Sequence, residues 1–98
     1  MDKEMLNVAL GNYYLVVETA DQKTRITFDI TRNVSTLVIH DYQVNRSADF
    51  FDRDLMHQIL IALRKRGIHH VLTDVLPDGL LPQCGHLDKT LHCNLHTL

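Results

Sequence analysis

No apolar run in this sequence extends beyond a few positions, which excludes a helix that crosses a bilayer. The opening residues, Met1-Asp2-Lys3-Glu4, do not carry the apolar stretch of a secretory signal. Cysteine is scarce: there are two, Cys84 and Cys93. With no export signal beside them, the expected compartment is the reducing cytoplasm, and a disulfide is expected only under oxidising conditions. Basic charge is not concentrated either. Ten Lys and Arg stand against twelve Asp and Glu, for a net charge of −2, and the one cluster is Arg64-Lys65-Arg66. Three basic residues at one helix end do not make the face a nucleic acid needs, so nucleic acid is not an expected partner. Glycine-rich phosphate loops, dinucleotide fingerprints, internal repeats and low-complexity segments are all missing.

What is present is ordinary for a folded protein: 45% apolar and 22% charged residues in a chain of 98. That length gives one domain, which buries roughly two-thirds of its unfolded surface on folding. It needs neither disulfide nor metal to hold a core together.

Hydrophobic periodicity divides the chain. Met5, Leu6, Ala9 and Leu10 stand at near-helical spacing ahead of Gly11, which suits a short N-terminal helix, although a first strand fits the same residues. Tyr13–Thr19 is aromatic and β-branched, as strands prefer. After a polar loop, Ile26, Phe28 and Ile30 alternate with Arg25, Thr27 and Asp29 as a half-buried strand does. Thr31-Arg32-Asn33 reads as a tight connection in which Asn33 takes the left-handed conformation. A third strand follows over residues 34–44, with Leu37, Ile39 and Val44 toward one face. The main helix comes next. Asp49 is its expected cap, Asp52 and Asp54 suit its first turns, and Phe51, Leu55, Met56, Ile59, Leu60 and Leu63 form one stripe. Arg64, Lys65 and Arg66 complement its C-terminal dipole, Gly67 ends it, and Ile68 supplies the closing apolar contact. Residues 69–76 resume strand character. The expected fold is therefore α+β, an antiparallel sheet of three to four strands packed by one helix in the order β-β-β-α-β. The domain spans residues 1–80, and residues 81–98, with Pro82 and Gly85 and no sustained period, form an irregular tail.

One stretch carries a resemblance. Leu37-Val38-Ile39-His40-Asp41-Tyr42-Gln43-Val44, then Leu55 to Arg66-Gly67, then Val71-Leu72-Thr73-Asp74-Val75-Leu76-Pro77-Asp78, resembles the core of a GNAT-type N-acetyltransferase. In that family a strand ending in valine leads to a pyrophosphate loop, a helix ending in Arg-Gly, and a further strand. The resemblance implies acetyl-CoA held by backbone amides at the helix start. The corresponding segment here, residues 45–54, has no glycine and places Asp49, Asp52 and Asp54 where phosphates would sit.

The residues with chemistry of their own are few. Cys84, His86, His92, Cys93 and His96 include four potential ligands for a tetrahedral zinc, but their spacing is not that of a finger or ribbon. Otherwise they are a histidine-rich tail with two reduced cysteines. His69 and His70 open a strand, so their imidazoles point to opposite faces and do not form one site. Asp49, Asp52 and Asp54 are explained by the helix dipole, and no motif builds a nucleophilic triad. The aromatic residues Tyr13, Tyr14, Tyr42, Phe50 and Phe51 remain. Phe50 and Tyr42 beside Arg46 and Arg53 make the expected protein-binding surface, with Phe50 otherwise stapling the helix start. The function these residues favour is a non-catalytic adaptor or inhibitor that occupies a partner protein's surface and needs no cofactor. A minimal acetyltransferase and a C-terminal metal element are the alternatives. An open sheet edge would also serve strand addition or a homodimer.

Overall fold

A computed structural model describes residues 6–45 and 52–98. The strands run β1 (Leu6–Leu10), β2 (Tyr14–Thr19), β3 (Arg25–Asn33) and β4 (Thr36–Val44) before the helix α1 (Arg53–Lys65), then β5 (His70–Thr73), β6 (Gly85–Leu87) and β7 (Thr90–Asn94). Short 3-10 turns occupy Asp78–Leu80 and Leu95–Thr97. All seven strands join one sheet in the order β1-β2-β3-β4-β5-β7-β6. The α+β class stands, but the sheet is larger than three or four strands and it is mixed. The β4–β5 pair is parallel, with α1 as its crossover, and every other pair is antiparallel.

The core forms because strand alternation and helix stripe meet. Leu15 and Val17, Ile26, Phe28 and Ile30, Leu37 and Ile39, Val71, and Leu91 and Cys93 turn to one face of the sheet. Met56, Ile59, Leu60 and Leu63 from α1 complete the same buried cluster. The other sheet face has no helix over it among the described residues, as is common where antiparallel pairing dominates.

The helix ends follow known chemistry, with one shift. Its cap is Asp52, whose Oδ1 accepts the Leu55 N–H at 2.9 Å. Asp49, the expected cap, lies outside the described residues, as does Phe51. At the other end Gly67 has φ of +90°, so glycine is required there. Its N–H donates to Arg64 O and the Ile68 N–H to Leu63 O, both at 3.1 Å. This is the paired closure of a Schellman end, and Ile68 and Leu63 are both fully buried behind it.

Three other expectations are corrected. The near-helical spacing around Leu6–Leu10 belongs to strand β1, with Leu6 buried and Val8 and Leu10 half-buried toward the core. The β3–β4 turn falls on Val34 and Ser35 rather than on Asn33, and Val34 takes φ of 55°. Register outranks local preference here, because placing Ile30 opposite Ile39 fixes the turn one residue later than Asn33 would. The expected irregular tail is a hairpin, β6–β7, whose inner strand lies between β5 and β6 and buries Leu91 and Cys93. At the opposite end of the sheet, the β2–β3 turn is tied by Asp21. Its carboxylate accepts from the Thr19 hydroxyl at 2.6 Å and the Lys23 N–H at 3.0 Å, which holds its pKa below the ordinary carboxylate value.

Candidate functional site

Three places in this fold combine exposure with chemistry. The first is the fork between β4 and β5. Those strands pair only from Thr36 to Ile39 and from His70 to Thr73. Beyond that point β4 continues to Val44 on β3 alone, after a bulge in which His40 is the extra residue opposite Asp29 and Ile30. The base of the fork is closed by Thr73, 1% exposed, whose hydroxyl donates to Ile39 O at 3.2 Å and accepts from the Val75 N–H at 3.2 Å. Asp41 follows on β4 and Asp74 just past the end of β5, and Asp52 and Asp54 stand at the start of α1.

Of the surface expected from the aromatic and arginine residues, Tyr42 and Arg53 are among the described residues. Arg53 is exposed on the first turn of α1. Tyr42 is half-buried, its ring 6.2 Å from that of Phe28, so it is packed rather than projecting. Arg46 and Phe50 lie outside the described residues. The exposed aromatics are instead Tyr13 and Tyr14, 73% and 60% exposed, both at the β1–β2 turn. The turn leaves both of them outside.

The second place is the edge of the sheet beside those tyrosines. Gly11 N–H donates to Tyr14 O at 2.9 Å. The antiparallel ladder alternates from that pair, so Asn7 and Ala9 exchange hydrogen bonds with β2. Leu6, Val8 and Leu10 therefore turn their N–H and C=O groups outward. Among the described residues no strand pairs with that outer side. The strand reads Leu-Asn-Val-Ala-Leu and has none of the charges, prolines or bulges that usually blunt an edge. A shallow concavity lies across β1 to β3, lined by Asn7, Val8, Ala9, Val16, Glu18 and Arg25.

The third place is the histidine- and cysteine-bearing end of β5 and β7. Cys84 and Cys93 are joined in a disulfide, with Cα atoms 4.5 Å apart. They are therefore not thiolate ligands, which corrects the zinc set read from the sequence. His86 and His92 are separated as well. His86 pairs with Leu91 and Gly85 with His92, so the two imidazoles leave opposite faces of the sheet. Among the described residues no three His, Cys, Asp or Glu side chains converge as a metal site. A different grouping forms instead. His70 and His92 lie diagonally across β5 and β7 on the face away from α1, His70 Nδ1 being 3.1 Å from His92 Nε2. His96 lies with its ring centroid 4.2 Å from that of His69 and 6.4 Å from that of His70.

His69 and His70 do reach one cluster, contrary to the expectation of opposite faces. His69 precedes the strand, and its N–H and that of His70 both donate to Ser35 O, at 2.8 and 3.2 Å. That shared acceptor breaks the alternation that would have parted the two side chains. In sequence His70 belongs to a strand and His92 to a tail, and only the β5–β7 pairing makes them neighbours. No known protein-family profile, curated protein or solved structure matches this chain.

Proposed function

We propose that this chain is a small non-catalytic protein-binding module that takes up an extended segment of a partner protein along β1. The observation that carries this reading is the uncharged, unbulged outer strand with the backbone groups of Leu6, Val8 and Leu10 facing outward. Main-chain hydrogen bonds to such an edge supply affinity with little demand on sequence. Tyr13 and Tyr14 at its end are the side chains best suited to anchor a partner, since tyrosine gives contact area at small entropic cost.

Peptides selected from a displayed library against the immobilised chain provide the probe. Val8→Pro removes one outward N–H without touching the bonds to β2, and proline is tolerated at an edge in that position. It should weaken the selected peptide by roughly tenfold, the worth of about one hydrogen bond, with the melting temperature nearly unchanged. Phe50→Ala and Arg53→Glu should leave the affinity as it is. The opposite pattern, with Val8→Pro harmless and those two damaging, would move the binding surface to the helix start and sink the edge reading.

A second reading is favoured by the fork. A parallel pair bridged by a helix, opening beyond Ile39 and Thr73, agrees with the resemblance to an N-acetyltransferase core. Open sheets of this kind take ligands at the carboxyl ends of their strands. Against it stand the glycine-free segment of residues 45–54 and the carboxylates Asp41, Asp52, Asp54 and Asp74, which oppose a pyrophosphate. A thermal-shift titration with acetyl-CoA separates the two readings. Ligand at a hundred times its Kd stabilises by about 2.7 kcal/mol, or a rise of order ten degrees in a domain of this size. We expect no shift up to millimolar ligand, and a saturable one would restore the acetyltransferase reading.

A further inference from the structure

We infer that His70 and His92 are the chelating pair of a binding site for a divalent transition-metal ion of the zinc, nickel or copper class, with His96 as the third ligand. Four of the seven histidines gather where β5 begins and β7 ends, and two of them already present ring nitrogens to each other. Two imidazole nitrogens bound to one metal at about 2.0–2.1 Å are roughly 3.3 Å apart in a tetrahedral arrangement and about 3.0 Å apart at a right angle. The observed 3.1 Å between His70 Nδ1 and His92 Nε2 falls within that span. Imidazole is the ligand that zinc, nickel and copper share.

The pair is placed by backbone rather than by flexible loops. His70 and His92 stand on paired strands in the middle of the ladder formed with β4 and β6. Cys93, adjacent to His92, is fixed in the core by its disulfide and is 2% exposed. In the metal-free protein one ring must donate its N–H to the other. Metal binding asks that ring to move the proton to its outer nitrogen, a tautomer change with no net proton lost. His96 sits on the turn that follows β7, against His69 and edge-on to His70. Its present position explains why no set of three ligands is yet converged. Water fills the remaining coordination positions, as in open sites.

The test is calorimetric titration of the untagged, oxidised chain with Zn2+ and then Ni2+, each alone. One equivalent should bind. His92→Ala and His70→Ala should each weaken it by about a hundredfold or more, given that loss of outer-shell partners alone costs 10–100-fold. His96→Ala should cost roughly tenfold, and His86→Ala nothing. Where His92→Ala disturbs the fold by circular dichroism, His92→Gln carries the same comparison. Absence of binding up to about 1 mM metal, a free energy weaker than about −4 kcal/mol, would overturn the inference. So would binding that the His70 and His92 substitutions leave intact, or that arises only after the disulfide is reduced and thiolates become the ligands.

Discussion

Phe28→Ala should destabilise this protein by about 3–5 kcal/mol, the range for emptying a fully buried aromatic site. Phe28 has no exposed surface. It stands on β3 between Leu15 of β2 and Tyr42 of β4, directly opposite each, and the tilted Tyr42 ring packs 6.2 Å from its own. Truncation therefore removes apolar burial and leaves a cavity that paired strands on both sides cannot close. A domain of this kind is worth only about 5–15 kcal/mol in total, so the loss takes a large share of it. Chemical denaturation should show a lower midpoint with an unchanged slope, and heating should show a melting temperature lower by more than about ten degrees. Tyr14→Ala, on the neighbouring strand but 60% exposed, should stay within about 0.5 kcal/mol of the parent. A Phe28→Ala loss below about 1 kcal/mol, within the range of surface changes, would mean that the core is not centred on β3.

The elements with strong periodicity were legible before the structure. Ile26, Phe28 and Ile30 marked β3, and the stripe from Met56 to Leu63 with Gly67 marked α1. The β4 bulge is a finding of the structure. Leu37, Ile39 and Val44 cannot share a face in a regular strand, because 39 and 44 differ by an odd number. The extra residue His40 resolves that parity. What escaped was long-range pairing. Leu91 and Cys93 alternate with Thr90, His92 and Asn94, a strand signal of five residues, but Pro82 and Gly85 nearby made the region look irregular. The turn at Asp88 and Lys89, with Asp88 at φ of 62°, is a two-residue hairpin connection that aspartate tolerates. Nothing local could place β7 between β5 and β6, since that order depends on pairings made across the domain.

The same distinction governs the candidate sites. The unguarded edge of β1 follows from five residues without charge or proline, and those residues could be read as they stand. In sequence they stand open between a short helix and a first strand, because Met5, Leu6, Ala9 and Leu10 also fit a helical spacing and a segment that short satisfies both periods. The histidine cluster has no linear signature: His70 and His92 are 22 positions apart and meet only through the β5–β7 register. Adjacent His69 and His70 appeared incompatible because strand alternation was extended one residue too far.

Reduction of the disulfide should lower stability by about 2.5 kcal/mol, the chain-entropy value for a closed loop of roughly ten residues. Cys84 and Cys93 are nine positions apart and stand opposite each other in continuation of the β6–β7 register, where Gly85 faces His92. The bond therefore fastens the short outer strand β6 to β7 at its open end, away from the Asp88–Lys89 turn. Without it, a three-residue edge strand is held by few hydrogen bonds, and the unfolded chain regains the freedom the cross-link removed. The melting temperature should fall by about ten degrees or more on adding a phosphine reductant. The Cys84→Ala/Cys93→Ala double variant should melt at the reduced temperature and be indifferent to reductant. Hydrogen exchange should locate the loosening in β6 and β7, leaving the amides of β2 and β3 protected. Two titratable thiols in the untreated, folded protein would refute the cross-link. The expectation of a reducing compartment rests on scarce cysteine and on no export signal beside it. With the pair joined, cysteine content no longer argues for the cytoplasm, and the stability of the β6–β7 hairpin becomes a function of the redox conditions around it.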